Sequence, residues 1–227
     1  MKKTQFGLKS ILALVAMSLM TGYTWRLQDP FFLSKTDFNI ASALPPPPVK
    51  GSAQDKSDFA KLFKYQKGRT AQDCERASYE VEVSLEHLFG PKYGPLSEIE
   101  VKKWEAFFDK VRNDTDYFVQ PMKKKWNRSR PYVAEPKIEP CLKREVTPAY
   151  PSGHAAISRV FADLLEQLDP KRRDDFEARA NQISEDRIIG GVHHPADIEA
   201  GKKLGEQIFK KLMHNPEFEK ELEASKN

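Results

Sequence analysis

Two histidines, His154 and His193, stand among residues that could move a phosphoryl group. Gly190-Gly191 before His193 interrupts any helix arriving there, and Pro195 after it opens a new one, so His193 lies at a turn with Asp197 about one helical turn onward. A carboxylate so placed accepts a proton from one imidazole nitrogen, fixes the tautomer and leaves the other nitrogen as nucleophile. The adjacent His194 is expected to point elsewhere, as a cap or surface residue. His154 ends the run Pro151-Ser152-Gly153-His154, in which Ser152 is a good N-cap and Gly153 permits close approach of the backbone. The first amides of the following helix lack partners within it and carry the positive end of its dipole, so together they form an anion site. In that first turn His154 would stand beside a bound oxyanion, placed to give or take a proton.

Three cations complete the set. Lys123 and Arg130 bracket a basic run, Lys123-Lys124-Lys125-Trp126-Asn127-Arg128-Ser129-Arg130, and Arg187 precedes His193. Alone, such a run reads as a solvated face. Beside a helix N-terminus, an oriented nucleophile and a separate proton donor, the cations supply what phosphoryl transfer requires for the equatorial oxygens.

The order and spacing of Lys123-x6-Arg130-Pro131, Pro151-Ser152-Gly153-His154 and Arg187-x5-His193-x3-Asp197 resemble the three-part signature of the phosphatidic acid phosphatase type 2 superfamily. The arm Leu44-Pro45-Pro46-Pro47-Pro48 and the later Tyr65-x2-Gly68-Arg69 resemble, within it, the bacterial class A non-specific acid phosphatases. The resemblance spans about residues 44–212. It implies an all-α, compact multi-helix bundle of the acid phosphatase and vanadium haloperoxidase type. It also implies that His193 is the nucleophile, Asp197 its orienting acid and His154 the general acid. Lys123, Arg130, Ser152, Gly153 and Arg187 become the phosphate cradle. One departure is clear: the family usually has Ser before the third-motif arginine, where this chain has Asp186, a carboxylate expected to weaken the cradle's positive field. The substrate expected is a small-molecule phosphomonoester, and no metal or other cofactor is expected, because the cations of the site are side chains. The alternatives are a lipid-phosphate phosphatase, a vanadium-dependent haloperoxidase, and a periplasmic protein that binds phosphate without turnover.

The elements that must position these residues are helical nearly throughout. Phe59, Leu62, Phe63 and Gln66 share one face; Tyr79, Val83 and Leu88 mark a second helix before Gly90-Pro91; and Ser97 with Glu100 is a capping box opening a third. Further helices start at Ser152, Pro170 and Pro195. Residues 57–227 are read as the catalytic domain and 25–56 as an extended Pro-rich arm, whose composition alone suggests a flexible linker. Residues 1–24 have the layout of a signal peptide, with Lys2, Lys3 and Lys9 before the apolar run Ile11–Met17. The protein is therefore expected in the periplasm or secreted, without stable membrane insertion after cleavage. A retained N-terminal anchor is the other reading of that segment.

Removing residues 1–24 takes three lysines and no acid from 37 basic and 33 acidic residues, so the formal charge falls from +4 to +1. The basicity thus gives no support for nucleic-acid binding. A mean hydropathy of -0.64 argues against several membrane spans. Cys74 and Cys141 suit a disulfide in an oxidising compartment, with two separate buried thiols as the alternative. Oligomeric state is left open, a homo-oligomer included.

Overall fold

The computed structural model describes residues 29–226 except 38 and 40–42, so the segment read as a signal peptide lies outside the described residues. Among those described there are nine α-helices, one 3-10 turn and no strand. They run α1 (Ala53–Gly68), α2 (Ala71–Tyr79), α3 (Leu85–Phe89), α4 (Glu98–Trp126), α5 (Pro131–Ala134), α6 (Gly153–Leu168), α7 (Arg173–Ile189), α8 (Pro195–Leu212) and α9 (Pro216–Lys226), with the 3-10 turn Pro170–Arg172 leading into α7. None is long and apolar enough to cross a membrane.

Side-chain caps explain most of the starts. Ser52 opens α1, a Thr70/Asp73 capping box opens α2, Ser84 opens α3, a Ser97/Glu100 capping box opens α4 and Ser152 opens α6. The single helix expected through Tyr79, Val83 and Leu88 is two helices. Glu80 turns into the core to meet Arg179 and Arg187, and Ser84 restarts the chain by accepting the His87 amide. On α1, Leu62 is buried but Phe63 is exposed, while Asp55 and Asp58 face inward to meet Arg128. Polar anchoring by a distant arginine, invisible to hydrophobic periodicity, sets that face.

Helix α6 is central and packs most extensively on α7 and α8. Ala156, Val160, Phe161, Leu164 and Leu165 bury its apolar stripe. Two glycines of α8 permit the approach: a Cβ on Gly201 would lie 2.4 Å from the Ser152 carbonyl oxygen, and one on Gly205 would lie 2.6 Å from that of Ala156. The first turns of α6 and α8 therefore meet backbone to backbone, joined by Ser152 N–H donating to the Asp197 carbonyl at 2.9 Å.

The arm is anchored on the helices at several points, contrary to the linker reading of its composition, although Pro45 and Pro46 are themselves exposed. Leu33 and Leu44 are buried, Tyr150 Oη donates to the Pro45 carbonyl at 2.7 Å, and the Asp114 carboxylate on α4 accepts the amides of Phe31, Phe32 and Leu33 at 2.6, 2.8 and 3.0 Å. Cys74 on α2 and Cys141 are joined by a disulfide, which ties α2 to the segment that runs from α5 to α6.

Candidate active site

The basic run divides in two. Helix α4 stops at Asn127, which adopts a left-handed conformation with φ 43°, and the chain continues extended to Arg130. Alternation along an extended segment puts Arg128 and Arg130 inward while Asn127 and Ser129 face solvent. Lys123, on the last turn of α4, is buried, whereas Lys124 and Lys125 are exposed. The solvated-face reading therefore holds for part of the run and fails for the three cations that turn in.

Lys123 Nζ donates to the Pro148 carbonyl at 2.8 Å. Burial, reinforced by the Arg130 charge, brings its ammonium down to about 8. Arg130 donates through Nε to the Thr147 carbonyl at 2.8 Å and through Nη1 to the Val192 carbonyl at 2.9 Å. The same Nη1 lies 2.9 Å from His193 Nε2. Its Nη2 reaches Thr147 Oγ1 at 2.9 Å and the Glu145 carboxylate.

His193 is buried at the turn between α7 and α8, where Gly191 takes φ 76° and a Cβ would come within 3.0 Å of Pro140 Cα. Its Nδ1 faces Asp197 Oδ2 at 3.4 Å. Guanidinium nitrogens only donate, so Nε2 must offer its lone pair to Arg130 and the proton sits on Nδ1 toward Asp197. Burial first, and Arg130 next, hold the imidazole well below its ordinary range and keep it neutral. At Asp197 burial opposes the charge, but the hydrogen bonds of His193 and His194 outweigh it and hold the carboxyl well below the usual range.

His194 does not point away, as its sequence position suggested. It caps α8 from a buried position, its N–H donates to Asp197 Oδ2 at 2.8 Å and its Nδ1 lies 3.0 Å from the same oxygen. Its ring packs at right angles to that of Phe59, with centroids 5.3 Å apart. Asp197 thus serves both imidazoles through Oδ2, and its Oδ1 accepts from Arg128 Nη1 at 2.7 Å. Arg128, which also meets Asp58 at 3.1 Å, is a site residue the sequence reading missed. Its even spacing from Arg130 after a helix stop was the available signal.

The second motif arrives on α6. Ser152 is wholly buried and its Oγ accepts the Ala155 amide at 3.3 Å. A Cβ on Gly153 would meet only Val119 Cγ1 at 3.6 Å, so the protein itself does not require glycine there. His154 is half-buried, and its Nε2 lies 3.0 Å from the Glu80 carbonyl. A carbonyl only accepts, so Nε2 carries the hydrogen and Nδ1 is the ring atom left free. Burial, then Arg187, lower this imidazole well below its ordinary range.

Arg187 is almost fully buried, with Nη2 on the Ala77 carbonyl at 2.5 Å and on Glu80 Oε2 at 3.0 Å, while its Nε has no hydrogen-bond partner. Glu80 was also unforeseen. It pairs Arg187 with Arg179 Nη2 at 2.9 Å, an ion-pair contact without hydrogen-bond alignment, and burial followed by the Asp186 charge raises its carboxyl to about 7. Asp186 is gripped by Arg76, at 2.7 Å to Nε and 2.8 Å to Nη2, and by Gln182 at 3.1 Å. Although paired with Arg76, its charge still acts on Arg187, where with Glu80 it opposes the effect of burial. Among the described residues no group of three or more His, Cys, Asp or Glu side chains is placed to hold a metal ion.

The fold brings the three motifs to one place: Arg130 touches His193, Ser152 is bonded to Asp197, and Glu80 links His154 with Arg187. No family model matches the chain. It is 27% identical to a non-specific acid phosphatase of Salmonella typhi over 207 residues, covering 86% of this chain and 81% of the relative. It is 29% identical to a non-specific acid phosphatase of Providencia stuartii over 212 residues, covering 88% and 84%. Among solved structures, a bacterial vanadium-dependent iodoperoxidase superposes with a TM-score of 0.56 at 16% identity, over 82% of this chain but 55% of that one, so this chain spans about half its length. A transmembrane PAP2-type phosphatidylglycerolphosphate phosphatase of Bacillus subtilis superposes with a TM-score of 0.54 at 18% identity, over 76% and 89%. Over most of its length the chain is thus similar in sequence to non-specific acid phosphatases, and its helical fold is the one shared by the haloperoxidase and the PAP2-type phosphatase.

Proposed function

We propose that this chain is an exported acid phosphatase that hydrolyses small phosphate monoesters through a phosphohistidine on His193. The observation that carries the reading is the state of that ring: neutral, protonated on Nδ1 toward Asp197, with the Nε2 lone pair directed among Arg130 and its neighbouring cations. An imidazole in that state is a nucleophile without further activation.

In the first step Nε2 of His193 attacks phosphorus and the P–O ester bond breaks. The leaving oxygen takes a proton from His154, through the free Nδ1. Burial and Arg187 disfavour that proton, but a phosphate ester beside the ring restores it by its own negative charge, so His154 is charged when substrate is present. Lys123, Arg130, Arg187 and the α6 amides spread the charge of the equatorial oxygens. In the second step water gives a proton to His154 and attacks phosphorus, the P–N bond breaks, and inorganic phosphate and neutral His193 result. Asp197, held between Arg128 and the imidazoles, supports the positive charge that His193 carries while phosphorylated. A mildly acidic optimum follows, because His154 must be protonated while His193 stays neutral. The segment 1–24 and the Cys74–Cys141 disulfide support export.

The test is release of nitrophenol from nitrophenyl phosphate by the purified protein. His193→Ala should lower turnover on the order of a thousandfold or more and abolish trapping of a phosphoenzyme. EDTA should leave turnover intact, since the cations of the site are side chains. Retained turnover in His193→Ala would overturn the assignment.

A further inference from the structure

We infer that Glu145 is an internal carboxylate that competes with substrate phosphate for Arg130 and so sets the affinity of the cradle, an inference that rests on the phosphate-site reading above. A guanidinium has five N–H donors. Those of Arg130 are directed at the Thr147 and Val192 carbonyls, His193 Nε2, Thr147 Oγ1 and the Glu145 carboxylate, which leaves none for an arriving ligand. A phosphate oxygen must therefore displace an existing acceptor. The two carbonyls belong to the fixed backbone, His193 is the proposed nucleophile, and the Thr147 hydroxyl is neutral. Glu145 alone among these partners is an anionic oxygen ligand, the same kind of group as the phosphate that would replace it.

Arg187 is arranged differently. Its buried Nε has no partner and is ready for a ligand, so the cradle is open at one arginine and occupied at the other. The Glu145 charge also acts beyond Arg130, since it is among the groups that raise Lys123 and Arg187. The backbone of Glu145 is anchored: Tyr132 Oη donates to its carbonyl at 2.7 Å, and its own N–H donates back to that oxygen at 2.8 Å. The side chain, by contrast, is 40% exposed. Rotation about its χ angles can carry the carboxylate into water without moving the backbone. Substrate binding then exchanges one anion for another at Arg130, and product release is helped by the returning carboxylate.

The test is calorimetric binding of inorganic phosphate to the full protein and to Glu145→Gln, Glu145→Ala and Arg187→Ala. Both Glu145 variants should bind phosphate about 3–10-fold more tightly than the parent, the effect of removing one like charge near a partly solvated site. Unchanged affinity would overturn the competition, and weaker affinity would show that Glu145 merely holds Arg130 in place. If instead the parent binds no phosphate, or Arg187→Ala binds as well as the parent, the phosphate-site reading itself falls and the inference with it.

Discussion

At His193 one ring nitrogen meets a carboxylate and the other a guanidinium, and that pairing separates it from the neighbouring imidazole. His194 shares Asp197 Oδ2 but packs its ring at right angles to Phe59, and His154 spends Nε2 on the Glu80 carbonyl. Three histidines thus acquire three sets of partners from their surroundings. Lys123 has the most testable charge. Its ammonium is brought down to about 8, so it is cationic below that pH and loses its charge as pH rises through it. Inorganic phosphate is already mostly dianionic there, its second pKa lying near that of other phosphates at about 6–7. Phosphate affinity should therefore fall as pH is raised from 7 to 9, by up to about tenfold per unit once Lys123 is neutral. In Lys123→Met, affinity at pH 7 should be lower and its fall over that range shallower, the remaining slope coming from proton uptake by His154 on phosphate binding; a parent protein with pH-independent phosphate affinity would refute it.

At the scale of elements, the site depends on how closely α6 and α8 start together. Gly201 and Gly153 make a matched pair for that idea. A methyl on Gly201 meets the Ser152 carbonyl, a backbone atom that cannot step aside, whereas a methyl on Gly153 makes one ordinary contact with Val119. Gly201→Ala gains helix propensity but must push the helices apart, and should cost about 1–3 kcal/mol in unfolding experiments. It should also lower kcat/KM on the order of a hundredfold, since the first turns carrying Ser152, His154 and Asp197 lose register. Gly153→Ala should leave the unfolding midpoint nearly unchanged. Any loss of phosphate affinity it shows then belongs to the ligand's approach to the α6 amides. Equal stability of the two variants would sink this account.

Across the whole molecule, a buried ionic chain supports the third motif from behind, running Arg76 to Asp186, Glu80 to Arg179, and Glu80 to Arg187. Asp186 is a support in that chain. Asp186→Ser should leave Arg76 with Asp73 alone and lower stability by about 2–3 kcal/mol, a discount on the full cost of breaking a buried pair because Arg76 is partly solvated. The phosphate affinity of the variant should change by less than about threefold, since the Asp186 charge is paired with Arg76. A strong gain in affinity with unchanged stability would mean that the carboxylate weakens the cradle after all. The disulfide and the packed arm act at the same scale, one joining α2 to the segment before α6 and the other laying Leu33 and Leu44 into the core.

The helical class, most helix starts and the motif residues were legible in the sequence, because caps, prolines, glycines and apolar periodicity act within a few residues of one another. Ser97 with Glu100, Ser152 and Pro195 each open the helix their chemistry suggests. What tertiary structure decided are the partners of buried charges. Arg128 reaching Asp197, Glu80 bridging two arginines, Asp186 turned toward Arg76 and Glu145 lodged on Arg130 join residues 15 to 110 positions apart. No local pattern announces such pairs, since burial makes an unpaired charge costly and the partner is whichever opposite charge the packed helices bring near.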